Sequence, residues 1–457
     1  MNSMIRSLST LIGCLLLTAC SSMSTSYQQP PVTLPASWQQ APSGGTTLPD
    51  AWWSAFEDPA LDALVSEALA RNNDLGTALL NVRRAQLLAG LADDARYPQA
   101  GASAGGQTSR HVRGDTASTR SYSLTGSVSW EIDLWNRLGS SADAARLEAL
   151  ATQEDYQAAE LTLVGTLANL YWQIGYLNER IAASEQSIAY ARQTLQLVQV
   201  RFDAGQGSSL ELAEARQSLE SQQASHVALL QERVEQRNAL ALLFDGSTPV
   251  AFAEPQTLAQ TVLPEVDADL PASLLGRRPD LRAAELRLRS SLKSVDAIRA
   301  SYYPDLSLTG TLGYASDRLG DVLRNPVAAL GAGLTLPFLQ WNQMQLDIAV
   351  SRTDYELAVV GFRQSLYQAL VDVENNLAAR RHYAEQEAMR ERALEAALEA
   401  ERIYRIRYEA GAVDLQSWLS AQDTRRTAQV SLTETRLNRL QAQVALTQAL
   451  GGGVAQP

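Results

Sequence analysis

From Asn136 to Phe202 the chain runs 67 residues without a proline, and glycine occurs only at Gly139, Gly165 and Gly175. At 1.5 Å of rise per residue this stretch predicts one helix of about 100 Å, several times the length of an average globular helix. A rod of that length does not fit inside a compact domain. Leu167, Ile174, Ile181, Ile188, Leu195 and Phe202 recur every seven residues, the spacing that keeps one apolar seam turned toward neighbouring helices. A coiled-coil-like rod is therefore expected; the competing reading is two shorter helices broken near Gly175.

The text around this stretch occurs twice. Asp74-Leu75 returns as Asp280-Leu281, Tyr97-Pro98 as Tyr303-Pro304, and Trp135-Asn136 as Trp341-Asn342. Arg201-Phe202-Asp203-Ala204-Gly205 returns as Arg407-Tyr408-Glu409-Ala410-Gly411, and every landmark moves by the same 206 residues. A constant offset implies tandem copies of one structural unit. The first is expected over 59–246, with strands at about 100–109 and 121–131, and the second over 274–452, with strands at about 306–316 and 328–338. A proline-rich linker, 247–273, joins them, and 453–457 is a short tail. Asp58 and Pro59 suit a helix start; that helix is expected to run from Ala60 to about Tyr97, where Pro98 stops it.

Tyr122, Leu124, Val128 and Trp130 alternate with serine and threonine, and Leu306, Leu308, Leu312 and Tyr314 alternate with Ser307, Thr309, Thr311 and Gly313. This period of two gives each hairpin an apolar face and a Ser/Thr/Gly face. Two hairpins cannot close a barrel alone, and open edges are costly in water and untenable in lipid. Three chains would supply a 12-stranded barrel whose small polar residues line a wet lumen and whose apolar residues face lipid. The competing reading is a soluble sheet covering a core.

Met1–Cys20 has the make-up of a targeting segment: Arg6, an apolar run over Leu8–Leu17, then Leu17-Thr18-Ala19-Cys20. The apolar run is too short for the roughly 20 residues of a membrane span. It resembles the lipobox of bacterial lipoproteins, which implies removal of a signal peptide, 1–19, and lipid (palmitate) on Cys20. Ser21, where an aspartate would signal inner-membrane retention, then implies the outer membrane. Residues 20–58 become a lipid-anchored leader, read over Ser21–Pro49 as an extended tether.

The 50 acidic and 38 basic residues, net -12, exclude a general nucleic-acid surface. His111, His226 and His382 stand in unrelated elements. There is no His-Glu-x-x-His, no Gly-rich phosphate loop and no metal-ligand cluster in the sequence. No enzyme activity, cofactor or metal is expected.

Four stretches carry a family resemblance: Trp52-Trp53-Ser54-Ala55-Phe56-Glu57-Asp58-Pro59-Ala60-Leu61, Arg278-Pro279-Asp280-Leu281-Arg282-Ala283-Ala284-Glu285, Tyr303-Pro304 and Arg407-Tyr408-Glu409-Ala410-Gly411. Together they resemble the TolC-like outer membrane factors, in particular the lipoprotein branch that serves resistance-nodulation-division efflux pumps. The resemblance implies a mixed α/β membrane protein: a homotrimeric 12-stranded β-barrel, four strands per chain, continuous with a long periplasmic α-helical barrel. It implies a passive outer-membrane exit duct for drugs or other small toxic compounds, with a periplasmic adaptor, an inner-membrane pump and outer-membrane lipid as partners. It places an aperture near Gly411–Asp423, with Asp414, Asp423 and Ser420 as candidates. Many relatives carry Asp-Ala-Gln where this chain has Ser420-Ala421-Gln422, so an acidic ring would fall to Asp414 or Asp423. Helix capping is the competing role for either aspartate. Adaptor contact is expected at the turns holding Gly205 and Ser208, and Gly411 and Val413. A type I protein-secretion channel and a lipid-anchored periplasmic coiled-coil scaffold are the alternative functions.

Overall fold

A computed structural model describes residues 24–40, 49, 51–110, 118–246, 252–259, 261–265, 271–324 and 326–452. The expected signal peptide, Cys20 and the tail lie outside these residues, as do His111 and parts of the linker. In chain order the main elements are α1 (Pro59–Arg71), α2 (Asn73–Asp94), β1 (Gln99–Arg110), β2 (Ser118–Ile132), α3 (Arg137–Asp203) and α4 (Ser209–Leu242). They continue as α5 (Pro279–Ala300), β3 (Asp305–Ser316), β4 (Pro326–Thr335), α6 (Trp341–Glu409) and α7 (Leu415–Ala449). The starts of α2 and α5, β1 and β3, and α4 and α7 all stand 206 apart, so the offset read from the text is kept by the elements.

The chain divides into two compact units. The first holds the described residues of Met1–Val32, Leu80–Glu154 and Ala283–Gln364. Its sheet is antiparallel in the order β1-β2-β3-β4. The register aligns the faces of all four strands. Ala100 opposes Val128, Val128 opposes Gly310, and Gly310 opposes Leu330; one residue along, Ser127 opposes Thr311 and Thr311 opposes Ala329. One face is thus apolar and the other Ser/Thr/Gly/Ala. The apolar face is uncovered within the chain: Leu312 is 63% exposed and Leu330 95%. At the sheet's end the Trp135 indole donates to the Pro304 carbonyl at 2.9 Å and lies against Tyr303, the rings tilted by 40° with centres 5.0 Å apart. Arg137 grips Glu131 at 2.6 and 2.9 Å.

The second unit holds the described residues of Thr33–Leu79, Asp155–Arg282 and Ser365–Pro457. Trp52 and Phe56 are buried, and Phe56 lies 4.6 Å from the Trp172 ring. Asp58 caps α1 as its position predicts, with Oδ1 accepting the amides of Ala60 at 3.0 Å and Leu61 at 3.3 Å. Its other oxygen accepts the Tyr171 hydroxyl at 2.8 Å. Leu167, Ile174, Ile181 and Ile188 are buried in a row along α3, the stripe expected to face neighbouring helices.

α3 is unbroken over 67 residues, as the rod reading expects; at Gly175 a Cβ would meet Pro255 at 2.8 Å, so the glycine admits the linker. Four expectations need correction. The seven-residue row fades at the end of the rod. Phe202 is 38% exposed, and burial passes to Ala191, Thr194 and Val198, as a 3.6-residue helix drifts away from a 3.5-residue repeat. The helix expected over Ala60–Tyr97 is two helices, parted at Asn72. Buried Asn72 accepts the Leu75 amide at 2.9 Å and donates to the Leu243 carbonyl at 3.2 Å. Its counterpart 206 residues on, Arg278, donates to the Ala449 carbonyl at 3.2 Å, itself 206 beyond Leu243. Leu79 and Leu87 are exposed after the break. β4 ends at Thr335 rather than near Phe338, because Pro337 has no amide for the ladder and opens a 3-10 turn. Finally, residues 24–27 of the leader are bonded to α5 rather than forming a free tether.

Candidate functional site

The aperture and turn candidates lie in the second unit, where α3 turns into α4 and α6 into α7. The two turns close identically. Gly205, φ +72, donates its amide to Phe202 and Gly411, φ +71, donates to Tyr408, both at 2.9 Å. Gln206 and Ala412 then reach back to the carbonyls of Arg201 and Arg407, both at 2.8 Å. This closure satisfies helix-end carbonyls and needs a left-handed residue. No atom lies within 4 Å of a Cβ built on either glycine, so the backbone alone requires them.

The caps that follow are related but not the same. Ser208 and Glu211 form a reciprocal capping box: Ser208 Oγ accepts the Glu211 amide at 3.1 Å, and Glu211 accepts the Ser208 amide at 2.9 Å. At the matching positions of the second repeat, Asp414 Oδ1 accepts the Ser417 amide at 2.8 Å. The acid has moved from the third helical position to the cap. Hydrogen bonds from the Ser417 side chain and then its backbone hold the Asp414 carboxyl below the usual aspartate value. Asp414 is exposed at the turn while its carboxylate caps α7.

Behind the turns, both repeats contribute to one apolar cluster: Val198, Leu212 and Ala215 from the first, Tyr408, Leu415 and Trp418 from the second. Val413 packs against it partly buried. Equivalent residues are treated unequally here. Tyr408 is buried, stacked 5.2 Å from Trp418 and covered by Arg201, whose guanidinium sits 4.7 Å above its ring, while its counterpart Phe202 is exposed. A buried carboxylate, Glu401 at 9% exposure, joins three helices. Its Oε1 accepts the Tyr190 hydroxyl at 2.5 Å and the Trp418 indole N–H at 3.1 Å. Burial, then the bond to Glu401, pushes the Tyr190 hydroxyl up to about 12. Sequence reasoning missed this node; the signal was an acid three and seven residues before Tyr404 and Tyr408 on one helix, with Trp418 beyond the turn.

Ser420 and Asp423 stand apart from Asp414. Both line a polar cleft between α4 and α7, facing Glu214 and Ser218, and Asp423 pairs with Arg426. Six residues of helix, about 9 Å of rise, separate Ser420 from Asp414. Among the described residues no group of His, Cys, Asp and Glu has the geometry to hold a metal, and no helix is long and apolar enough to cross a membrane.

The outer membrane efflux protein family matches residues 64–245 and again 270–452, falling on the two repeats. The chain is 31% identical to the pyoverdine export outer membrane protein OpmQ of Pseudomonas aeruginosa, over 98% of this chain and 97% of the relative. It is 30% identical to the cation efflux system protein CusC of Escherichia coli, over 97% of each. A crystal structure of CusC aligns with a TM-score of 0.84 at 27% identity, covering 94% of this chain and 100% of that one. A four-stranded sheet carried by helices of 67 and 69 residues thus has the fold of outer-membrane channels. The chain belongs to the outer membrane efflux protein family and is an outer-membrane channel component of an efflux system.

Proposed function

We propose that this chain is one third of a lipid-anchored homotrimeric exit duct, fed with small toxic compounds by an inner-membrane resistance-nodulation-division pump through a periplasmic adaptor. The observation that carries this reading is the sheet, with one apolar face and two edges, β1 and β4, that no strand among the described residues pairs. Joining β4 of each copy to β1 of the next closes 12 strands, removes every edge and turns the Ser/Thr/Gly face to the lumen. Trp130, Trp135 and Trp341 fall near the strand ends, where amphipathic rings suit a lipid boundary. Signal-peptide removal before Cys20 and acylation of that residue complete the anchor. Relatives named for pyoverdine and cation export match this chain almost equally well, which supports a duct whose cargo is chosen by the pump.

In this reading three Asp414 carboxylates ring the narrow end and favour cations. Ser420 and Asp423 contribute to the cleft behind it, and the turns at Gly205, Ser208, Gly411 and Val413 meet the adaptor. The test is conductance of the purified protein in a planar bilayer beside Asp414→Ser, which keeps a capping oxygen as Ser208 does and deletes the charge. Discrete steps whose cation preference falls in the variant are expected. Unchanged selectivity would remove Asp414 from the constriction, and absence of steps from verified inserted trimers would overturn the duct.

A further inference from the structure

The apolar face of the sheet carries charge in one place. Among the residues of the four strands that share this face by register, Arg110 and Arg120 are the only charged ones. Both are exposed, and neither guanidinium has an ion pair or hydrogen bond to a described residue. Arg110 opposes Ser118 and Arg120 opposes Thr108, so the two are diagonal neighbours on adjoining strands, about 7–8 Å apart at the backbone. Like charges this close repel, and an anion held between them relieves the repulsion. The second hairpin is balanced internally instead, with Arg324 donating to Asp321 at 3.1 Å.

The height of the pair on the sheet identifies the anion. Trp130 stands on the same face ten residues along β2 from Arg120, about 33 Å of strand. At the roughly 40° tilt of barrel strands this rises about 25 Å, the height of the apolar band of an outer-membrane barrel. Aromatic rings close the band at both ends: Trp130 toward the helices, and Tyr122 with Tyr314, which opposes Leu124, toward the hairpin ends. Arg120 lies two residues beyond Tyr122, where its stem can follow the apolar face and its head can reach the headgroups. α2 and α3 join the sheet at its opposite end, so this rim belongs to the outer leaflet, whose glycolipid carries phosphates.

We propose that Arg110 and Arg120 form a phosphate-binding site for the glycolipid of the outer leaflet, each copy clamping one phosphate between two guanidinium forks. The site rests on the barrel reading, which turns this face to lipid. Its test uses full-chain trimers purified in detergent, with bisphosphorylated lipid A, the same lipid stripped of phosphate, and inorganic phosphate as probes. Arg110→Gln and Arg120→Gln are compared with the wild type and with Arg324→Gln, a rim arginine already paired; bound lipid is read by native mass spectrometry and conductance in planar bilayers. Losing one charged bond should weaken lipid A binding about tenfold in either variant, with Arg324→Gln, trimers and conductance unchanged. Equal binding of the dephosphorylated lipid, or an equal loss in Arg324→Gln, overturns the site. Inorganic phosphate held as tightly as lipid A overturns lipid docking in favour of a free anion. Conducting trimers that hold no lipid A overturn the site and leave the duct standing, whereas a chain that forms no trimer overturns the barrel reading and the site with it.

Discussion

Gly411 offers a sharp test of why the hairpin ends look as they do. Its φ of +71 places it in the left-handed region, and no atom lies within 4 Å of a Cβ built there. Gly411→Ala therefore meets no steric obstacle and bears only the backbone term, roughly 1–2 kcal/mol for an L-residue in that region. Alanine also narrows the open chain's freedom, which returns roughly 0.4–1 kcal/mol. The net is about 1 kcal/mol, equivalent to about a fivefold rise in local opening. Hydrogen exchange of the Ala412 amide, bonded to the Arg407 carbonyl at 2.8 Å, reads that opening directly in detergent-solubilised protein. Asparagine tolerates the left-handed region better than alanine, and valine worse. The expected order of exchange is Gly, then Asn, Ala and Val, with the same order at Gly205. Equal exchange in Gly411→Asn and Gly411→Ala would refute the backbone argument, because the cost would then come from the side chain's surroundings.

Two further outcomes concern the node behind the turns. Trp418→Phe keeps the stack on Tyr408 but removes the indole donor to Glu401; a buried acceptor losing a partner costs about 1–3 kcal/mol, seen as a lower midpoint of thermal unfolding with secondary structure retained. Tyr190 titrates near 10 when released and near 12 in place. Its stabilising contribution is therefore complete below pH 10 and lost as pH rises through about 12. Tyr190→Phe should flatten that alkaline loss, measured by Trp418 fluorescence across the window.

Much of this was legible because it is periodic or local. The long rods show in a seven-residue row, the strands in an alternation of two, the tandem copies in a fixed offset, and the Asp58 cap in the residues beside it. What escaped depends on residues far away in sequence. Arg71-Asn72-Asn73-Asp74 contains no glycine or proline to announce a break; Asn72 parts the helices because the carbonyl of Leu243 is there to receive it. Phe202 and Tyr408 occupy equivalent places in the text, yet only the second is covered, since Trp418 and Arg201 come to it from other helices. Tyr190 and Glu401 meet across 211 residues of chain. Asp414 could be read as a cap or as a charged rim, and the cap is the part its geometry shows. The leader's composition suggested a tether because its partners, Asp296 and Glu285, stand more than 250 residues downstream.

The fixed offset between the repeats also bears on how such a chain can vary. One residue inserted into α3 would turn everything beyond it by about 100° and advance it about 1.5 Å, while α6 stayed as it was. Val198 would swing off the cluster it shares with Trp418, Thr194 would leave the Gln422 amide that donates to it at 3.4 Å, and the α3–α4 turn would shift against the α6–α7 turn. Substitutions can be absorbed in place, as the paired exchange of Ser208 and Glu211 for Asp414 and Ser417 illustrates. Changes of length cannot: they must be matched in both long helices and their shorter neighbours together, so the rods of this chain behave as a single inherited measure.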